Sequence, residues 1–325
     1  MRWGISSTGG IATGFAKALA QVEDAELVAV ASRTQERAAA FADAHGVRRA
    51  FGSLSALAAD PEVDVVYLAS PHSEHAREAL EVVRGGKHVL VEKPFALSVA
   101  QAEPVFAAAA EAGVFVMEAL WSRFLPAHVR LRELVADGAI GEVRSVEASF
   151  GFPLPAELPS THRMLDPALG GGALLDMGIY PVNTAVQLLG RPDAVASTAV
   201  LGETGVDVNT VVALSWAGGA VAQAHCSLTA LLPNSARVIG TKGWIDVPSV
   251  MIFPDSLVLR RKGRDDVLEL PVGDHGLRYE VHEVHACIAA GKKESDVMSW
   301  QHTRDLLGTL DRVRTQIGLR YPGER

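Results

Sequence analysis

Lys87-His88-Val89-Leu90-Val91-Glu92-Lys93-Pro94 is the stretch on which the fold turns. A mostly apolar run, the pattern of a buried strand, stops abruptly at a charged pair and a proline, whose locked φ and missing N–H forbid continuation. A lysine is thereby held at the C-terminal end of a strand. In a doubly wound α/β sheet that edge is where ligands bind, which makes Lys93 a candidate for chemistry. The plain alternative is a solvated charge pair capping a strand. The bond before Pro94 can also be cis, which would aim the lysine into the crevice.

Outward from this stretch the chain alternates. Residues 63–69 predict a buried strand, 74–83 a helix, 99–112 a helix and 114–117 a strand. At the start, Arg2 to Ser6 reads as a strand, followed by Ser7-Thr8-Gly9-Gly10-Ile11-Ala12 and a helical run over residues 13–19. Strand, small-residue turn, helix is the setting of the dinucleotide fingerprint G-x-G-x-x-G/A, whose small residues allow the turn, the approach of a pyrophosphate and helix packing. Ser7, Gly9 and Ala12 hold those places, with Ser7 standing where the first glycine belongs. After a second strand, residues 26–31, an acidic residue would bind the ribose 2′-hydroxyl of NAD. The chain has Ser32-Arg33-Thr34 there, with Arg37 one helical turn on. Without a carboxylate to repel a 2′-phosphate, and with guanidinium groups to bind it, NADP(H) is expected in preference to NAD(H). A helix over residues 35–45 follows. Strands alternating with helices specify a parallel sheet with right-handed crossovers. The loop Ser70-Pro71-His72-Ser73 then leaves its strand at the same edge as Glu92-Lys93.

Composition narrows the function. A chain of 325 residues suits two domains, and 48% hydrophobic against 21% charged residues gives a sizeable core without disordered tracts. A net charge of −8 without a Lys/Arg cluster argues against nucleic acid or an anionic membrane as partner and leaves small molecules. Cys226 and Cys287 stand apart with no C-x-x-C pattern, as expected for buried thiols in a reducing compartment rather than a disulfide framework or a zinc site. Neither a signal-like segment nor a membrane-length apolar run is evident, so a cytoplasmic protein is expected.

Four segments together carry a resemblance: Ser7-Thr8-Gly9-Gly10-Ile11-Ala12, Ala69-Ser70-Pro71-His72-Ser73-Glu74-His75, Glu92-Lys93-Pro94, and Met117-Glu118-Ala119-Leu120-Trp121-Ser122-Arg123-Phe124. In order and spacing they resemble the glucose-fructose oxidoreductase / inositol dehydrogenase (Gfo/Idh/MocA) family over nearly the whole chain. The run from Glu118 to Phe124, with Gly170-Gly171-Gly172-Ala173-Leu174-Leu175-Asp176-Met177-Gly178-Ile179-Tyr180-Pro181, looks most like its dimeric dihydrodiol dehydrogenases and NADP-dependent D-xylose dehydrogenases. The resemblance implies an N-terminal Rossmann domain, a C-terminal α/β domain with a large open, mainly antiparallel sheet, and dimers formed through that sheet. It implies that Lys93 is catalytic and that Tyr180 occupies the place of the catalytic His or Tyr. Around the cofactor it leads us to expect Ser7, Thr8, Gly9, Gly10, Ile11, Ser32, Arg33, Arg37, Ser70, Pro71, His72, His75, Glu92, Lys93, Trp121 and Arg163.

Beyond Trp121 the βα alternation lapses, which sets a domain boundary near residue 119 and divides the chain into 1–119 and 120–325. A helix over residues 127–137 precedes a strand over 143–150. The proline-rich segment 151–159 cannot be a central strand and reads as a loop or lid, with Phe152 either walling a pocket or packing ordinarily. Gly170 to Gly172 reads as a flexible turn into an apolar helix over 173–189. On it Asp176 and Tyr180, four residues apart, share a face; each is either a functional group or a polar residue satisfied by neighbouring backbone. Strand-like runs at 210–216, 220–228, 236–239, 244–247 and 257–260 suit an antiparallel sheet. With one face covered by helices, its other face is expected to be apolar and to join a second copy. His282 and His285 lack a third ligand and read as an exposed helix face, so no metal is expected. A last helix is expected over 299–316.

These residues suit hydride transfer between NADP(H) and a sugar or vicinal diol, with Tyr180 as general acid/base, Lys93 on the same substrate oxygen across a domain interface, and Asp176 orienting substrate or lysine. The second reading is a non-catalytic NAD(P)- or sugar-binding regulator of the same fold. The presence of Lys93, Asp176 and Tyr180 together weighs against it.

Overall fold

The computed structural model describes residues 1–248 and 250–324. They form two compact units, residues 1–124 with 274–303, and residues 125–273 with 304–325. The division is discontinuous where the sequence suggests one cut near residue 119. The later segment joins the first unit because it completes its hydrogen bonding. The Lys293 carbonyl accepts from Val116 N at 3.0 Å, Trp300 Nε1 donates to the Val116 carbonyl at 2.9 Å, and Trp3 Nε1 donates to His285 Nε2 at 3.0 Å.

In the first unit the strands are β1 (Arg2–Ser6), β2 (Glu26–Ala31), β3 (Arg49–Phe51), β4 (Val65–Leu68), β5 (His88–Glu92) and β6 (Val116–Ala119). Every pairing is parallel, and the order is β3-β2-β1-β4-β5-β6. This is the doubly wound dinucleotide-binding order, whose direction reverses between β1 and β4. The helices are α1 (Gly10–Leu19), α2 (Gln35–His45), α3 (Leu54–Ala58), α4 (His75–Arg84) and α5 (Val99–Ala112). The strands are continuous apolar runs because helices cover both faces; Val65 to Leu68 and Val89 to Val91 are wholly buried. Gly4 in β1 packs closely, since a Cβ there would lie 2.9 Å from Leu57 Cδ1 of α3.

In the second unit α6 (Pro126–Ala136) leads to β7 (Val143–Gly151), then a π-helical turn, Leu174–Gly178, runs directly into α7 (Ile179–Leu189). The remaining strands are β8 (Ala194–Leu201), β9 (Asp207–Ser215), β10 (Val221–Ser227), β11 (Ala236–Gly240), β12 (Gly243–Val247), β13 (Ser256–Arg261) and β14 (Arg264–Glu269). They form one eight-stranded sheet, ordered β14-β13-β12-β11-β7-β10-β9-β8. All its pairings are antiparallel except β7 with β10. α7 packs on β7 and β10 and covers one face. The other face is open and mixed where the strand pattern suggested an apolar surface. Its groove of about 490 Å³ is lined by Glu147, Gln223, His225, Arg237 and Asp246, among others, while Val200, Val221, Trp244 and Val267 stand exposed at alternate positions of the same strands.

Among the described residues, no helix is long and apolar enough to cross a membrane. Cys226 and Cys287 are free and buried. Two later helices, α8 (Arg278–Ala289) and α9 (Trp300–Ile317), follow the sheet.

Candidate active site

In a parallel sheet every strand ends at the same edge, so β1, β2, β4, β5 and β6 deliver Ser7, Ser32, Ala69, Lys93 and Trp121 to one rim of the first unit. The sequence-predicted residues that converge there fall into two sets. Gly9, Gly10, Ile11, Arg33, Arg37 and Pro71 are exposed, whereas Ser7, Thr8, Ser32, Ser70, Lys93 and Trp121 are half-buried.

The turn after β1 leaves open space beside it. Ser7, in the first glycine's place, takes φ +88°, a left-handed conformation that side chains disfavour. Its N–H donates to the Ala31 carbonyl at the end of β2, at 2.9 Å. Gly9 is the N-cap of α1. A Cβ on Gly9 would approach only Ser7 Oγ, at 4.0 Å, and one on Gly10 would meet nothing within 4 Å. The chain's own packing therefore does not require these glycines. The space they leave lies at a helix N-terminus, whose free N–H groups and positive dipole end suit a pyrophosphate. Ile11 stands 42% exposed beside it. At the end of β2, Thr34 caps α2 by accepting from Arg37 N at 3.4 Å. The residues that would hold a dinucleotide here are Gly9 and Gly10 for its phosphates, Ser32 for its ribose, and the exposed Arg33 and Arg37 for any 2′-phosphate.

The turn after β5 is built from beneath. The Lys93-Pro94 bond is cis, and Lys93 N donates to Glu92 Oε2 at 3.2 Å. Glu92, expected around the cofactor, points its carboxylate inward, where it is 6% exposed and accepts a short hydrogen bond from Tyr67 Oη. His75, also expected there, is fully buried. Its Nδ1 lies 2.7 Å from the Pro94 carbonyl oxygen and its Nε2 2.8 Å from that of Ser70. It ties the loop after β4 to the lysine turn, and burial pushes its pKa down. His72 is likewise buried, edge-on to His75 with ring centroids 5.7 Å apart. These three support the rim from below.

Two further carboxyls stand under this edge that sequence reasoning did not single out. Glu118 accepts from Phe95 N and from Thr303 Oγ1, both at 2.9 Å, and burial raises its pKa to about 7. The only signal was a carboxylate inside an apolar strand end. Glu280 is fully buried, with both oxygens unpartnered among the described residues; burial and then the charge of Glu92 raise its pKa. No group of three metal-ligating side chains occurs among the described residues. His285 is engaged by Trp3, while His282 is exposed.

The second unit brings its own predicted residues together. Asp176 lies in the π-turn, 8% exposed, and Arg163 Nη1 donates to its Oδ1 at 2.9 Å. Tyr180, in the first turn of α7, is 6% exposed and meets Phe150 edge-on at 5.6 Å. Phe152 meets Phe150 at 6.1 Å and is 41% exposed. Asp176 lies inside the π-turn, and Tyr180 follows two residues beyond its end. Such turns recur at functional sites. The glycines before it are not flexible. A Cβ on Gly171 would lie 2.8 to 2.9 Å from three backbone atoms of Arg163, Met164 and Asp166. Gly172, at φ +121°, would set one 2.4 Å from Asp207 Oδ1.

Parallel strand order, an open glycine turn at the switch point and a lysine at the neighbouring strand end define a nicotinamide-dinucleotide oxidoreductase fold. Residues 1–120 match the oxidoreductase family with NAD-binding Rossmann fold, and residues 128–246 match the GFO/IDH/MocA C-terminal domain. The chain belongs to the GFO/IDH/MocA oxidoreductase family. It is 38% identical to trans-1,2-dihydrobenzene-1,2-diol dehydrogenase of Danio rerio, over 99% of this chain and 98% of that protein. The mouse (Mus musculus) enzyme of the same name is 36% identical, over 100% and 99%. Among solved structures, an aldose-aldose oxidoreductase from Caulobacter crescentus superposes with a TM-score of 0.88 at 27% identity, covering 97% of both chains. A 3-ketoreductase from Actinomadura kijaniata, solved with NADP and TDP-benzene, gives 0.82 at 28% identity over 98% of both.

Proposed function

We propose that the protein is a dehydrogenase that prefers NADP(H) to NAD(H) and exchanges a hydride with a carbinol or carbonyl carbon of a vicinal diol or cyclic sugar. One observation carries this: a single sheet edge gathers a glycine turn with unfilled space, two exposed guanidinium groups and Lys93. The relatives named for a dihydrodiol, an aldose and a ketone substrate support the substrate class.

When bound, the nicotinamide supplies the hydride chemistry. The chain's part is to bind, orient and move one proton. Gly9 and Gly10 present N–H groups to the pyrophosphate. Arg33 and Arg37 receive the 2′-phosphate, with Arg33 the better placed at the strand end. The Lys93 ammonium hydrogen-bonds the reacting oxygen of the substrate. Tyr180 gives or takes the proton at that oxygen, and Asp176, ion-paired to Arg163, orients the substrate. An unperturbed tyrosine titrates near pH 10, so its use at neutral pH calls for a neighbouring cation, the role assigned to Lys93. The open face of the eight-stranded sheet is the surface for a second copy, and light scattering at micromolar concentration reads that dimer. The two free thiols fit a cytoplasmic location.

Titrating NADP+ and NAD+ into the wild type and Arg33→Ala tests the cofactor assignment. Tighter NADP+ binding that Arg33→Ala selectively weakens is expected; equal affinities in the wild type overturn it. Incubation with NADP+ and a panel of dihydrodiols and aldoses, followed by nicotinamide absorbance, tests the reaction. A silent panel would favour the binding-protein alternative.

A further inference from the structure

Asp207 opens β9 and is fully buried, yet the sequence offers no reason to notice it. Its Oδ2 accepts from Leu174 N at 2.9 Å and from Thr210 Oγ1 at 2.6 Å. Leu174 is the first residue of the π-turn that carries Asp176 and leads to Tyr180. Asp207 thus caps the N-terminal end of that segment from a strand 33 residues away. A negative charge suits this place, because free N–H groups and the positive end of the helix dipole face it.

The other oxygen is different. Asp207 Oδ1 is buried and has no partner among the described residues. It lies against Gly172, where a Cβ would be 2.4 Å away. Above it, Tyr321 Oη donates to the Gly171 carbonyl at 2.7 Å. One oxygen of the carboxyl holds the turn, and the other has room for a proton.

We propose that Asp207 is a positioning residue: as a carboxylate it fixes the turn bearing Asp176 and Tyr180, and on taking a proton at Oδ1 it loosens that turn. This rests on the assignment of Asp176 and Tyr180 to the reaction. The carboxyl titrates where the effect would be read, since burial raises it to about 6 against the pull of its hydrogen bonds from Thr210, Leu174 and its own backbone N–H. Its titratable surroundings include Cys226, Tyr321 and Asp176. Burial pushes the Cys226 thiol of β10 well up. Burial and the Asp207 charge raise the Tyr321 phenol, against the lowering influence of Arg314, with Glu324 acting in the same upward sense. Asp176, on the turn itself, is paired with Arg163.

The test is the pH profile of kcat for the wild type, Asp207→Asn and Thr210→Val. In the wild type, kcat falls on the acid side with an inflection near 6. Asp207→Asn, frozen in the uncharged state, should be roughly ten- to a hundredfold slower at alkaline pH and lose that inflection. Thr210→Val removes a hydrogen bond to the ionised form and should move the inflection up by about one pH unit. NADP+ affinity should stay the same in both variants. A wild type without the inflection, or variants that keep it unmoved, overturns the proposal. Should Asp207→Asn not fold, Thr210→Val decides alone. Failure of the underlying assignment reads differently: Tyr180→Phe would turn over normally whatever happens at Asp207.

Discussion

Two glycine-rich turns lead into helices in this protein, and they use glycine for opposite reasons. At Gly9 and Gly10 the place of a side chain is vacant. At Gly171 and Gly172 it is filled, by the backbone of residues 163–166 and by the Asp207 carboxyl. Sequence alone reads the first as a tight small-residue turn of the dinucleotide type and the second as a flexible one. The structure separates a turn with open space from one packed tight against its neighbours. A buried carboxyl stands in each unit, Glu118 accepting from Phe95 N under the first unit's rim and Asp207 from Leu174 N at the π-turn of the second.

The largest effect should come from closing the tight turn. Gly172→Ala adds a Cβ in a left-handed backbone against Asp207, and Gly171→Ala drives one into three backbone atoms. Each should cost about 3 kcal/mol or more, read as a fallen Tm or loss of folded protein. Wild-type stability in either variant would mean that this turn is as open as the first.

Next is the pH dependence of stability set by Glu118, whose pKa rises from 4.5 to about 7 on folding. The folded carboxyl holds its proton more tightly than the unfolded one. Its contribution is therefore complete below the unfolded value and is lost as pH rises through the folded one, by roughly 3 kcal/mol in all. Glu118→Gln should flatten urea-derived stability between those limits. An unaltered slope would show that Glu118 is not the group responsible.

A smaller effect is expected at the open turn, and in binding rather than folding. Gly9→Ala should change stability by less than about 1 kcal/mol, the scale of an N-cap exchange. It should weaken NADP+ by about tenfold or more by occupying the pyrophosphate's path. Unchanged affinity would erase the distinction between the two turns. The smallest change is Ser7→Gly, which relieves φ +88° and should raise stability by no more than about 1 kcal/mol after the entropic cost of glycine. A lower Tm would mean that the serine side chain does more than occupy the turn.

The first unit was legible because its signals are local. The helices Gln35–His45 and Val99–Ala112 and the strand Glu26–Ala31 fall where periodicity puts them, and Lys93 at a strand end needs only a proline to mark it. The second unit was legible in class and less so in detail. β8 and β14 were not singled out because they are the sheet's edges, where Val200, Leu201 and the charged run Arg264-Asp265-Asp266 face outward without alternation. The π-turn escaped because helical spacing assumes a uniform repeat. Residues 274–303 were assigned by chain order, although Trp300 and Lys293 bond to a strand far earlier. Glu280 and Asp207 were invisible for the same reason: their partners, or lack of them, are set by residues distant in sequence. Arg163 was expected near the cofactor, and the contact found is with Asp176.

Lys93, directly after β5, is proposed to act on the substrate while the turn after β1 holds the cofactor. Turnover and NADPH affinity measured together on Lys93→Met test this most directly. Turnover should be abolished while NADPH still binds nearly as in the wild type. Normal turnover in Lys93→Met would contradict it.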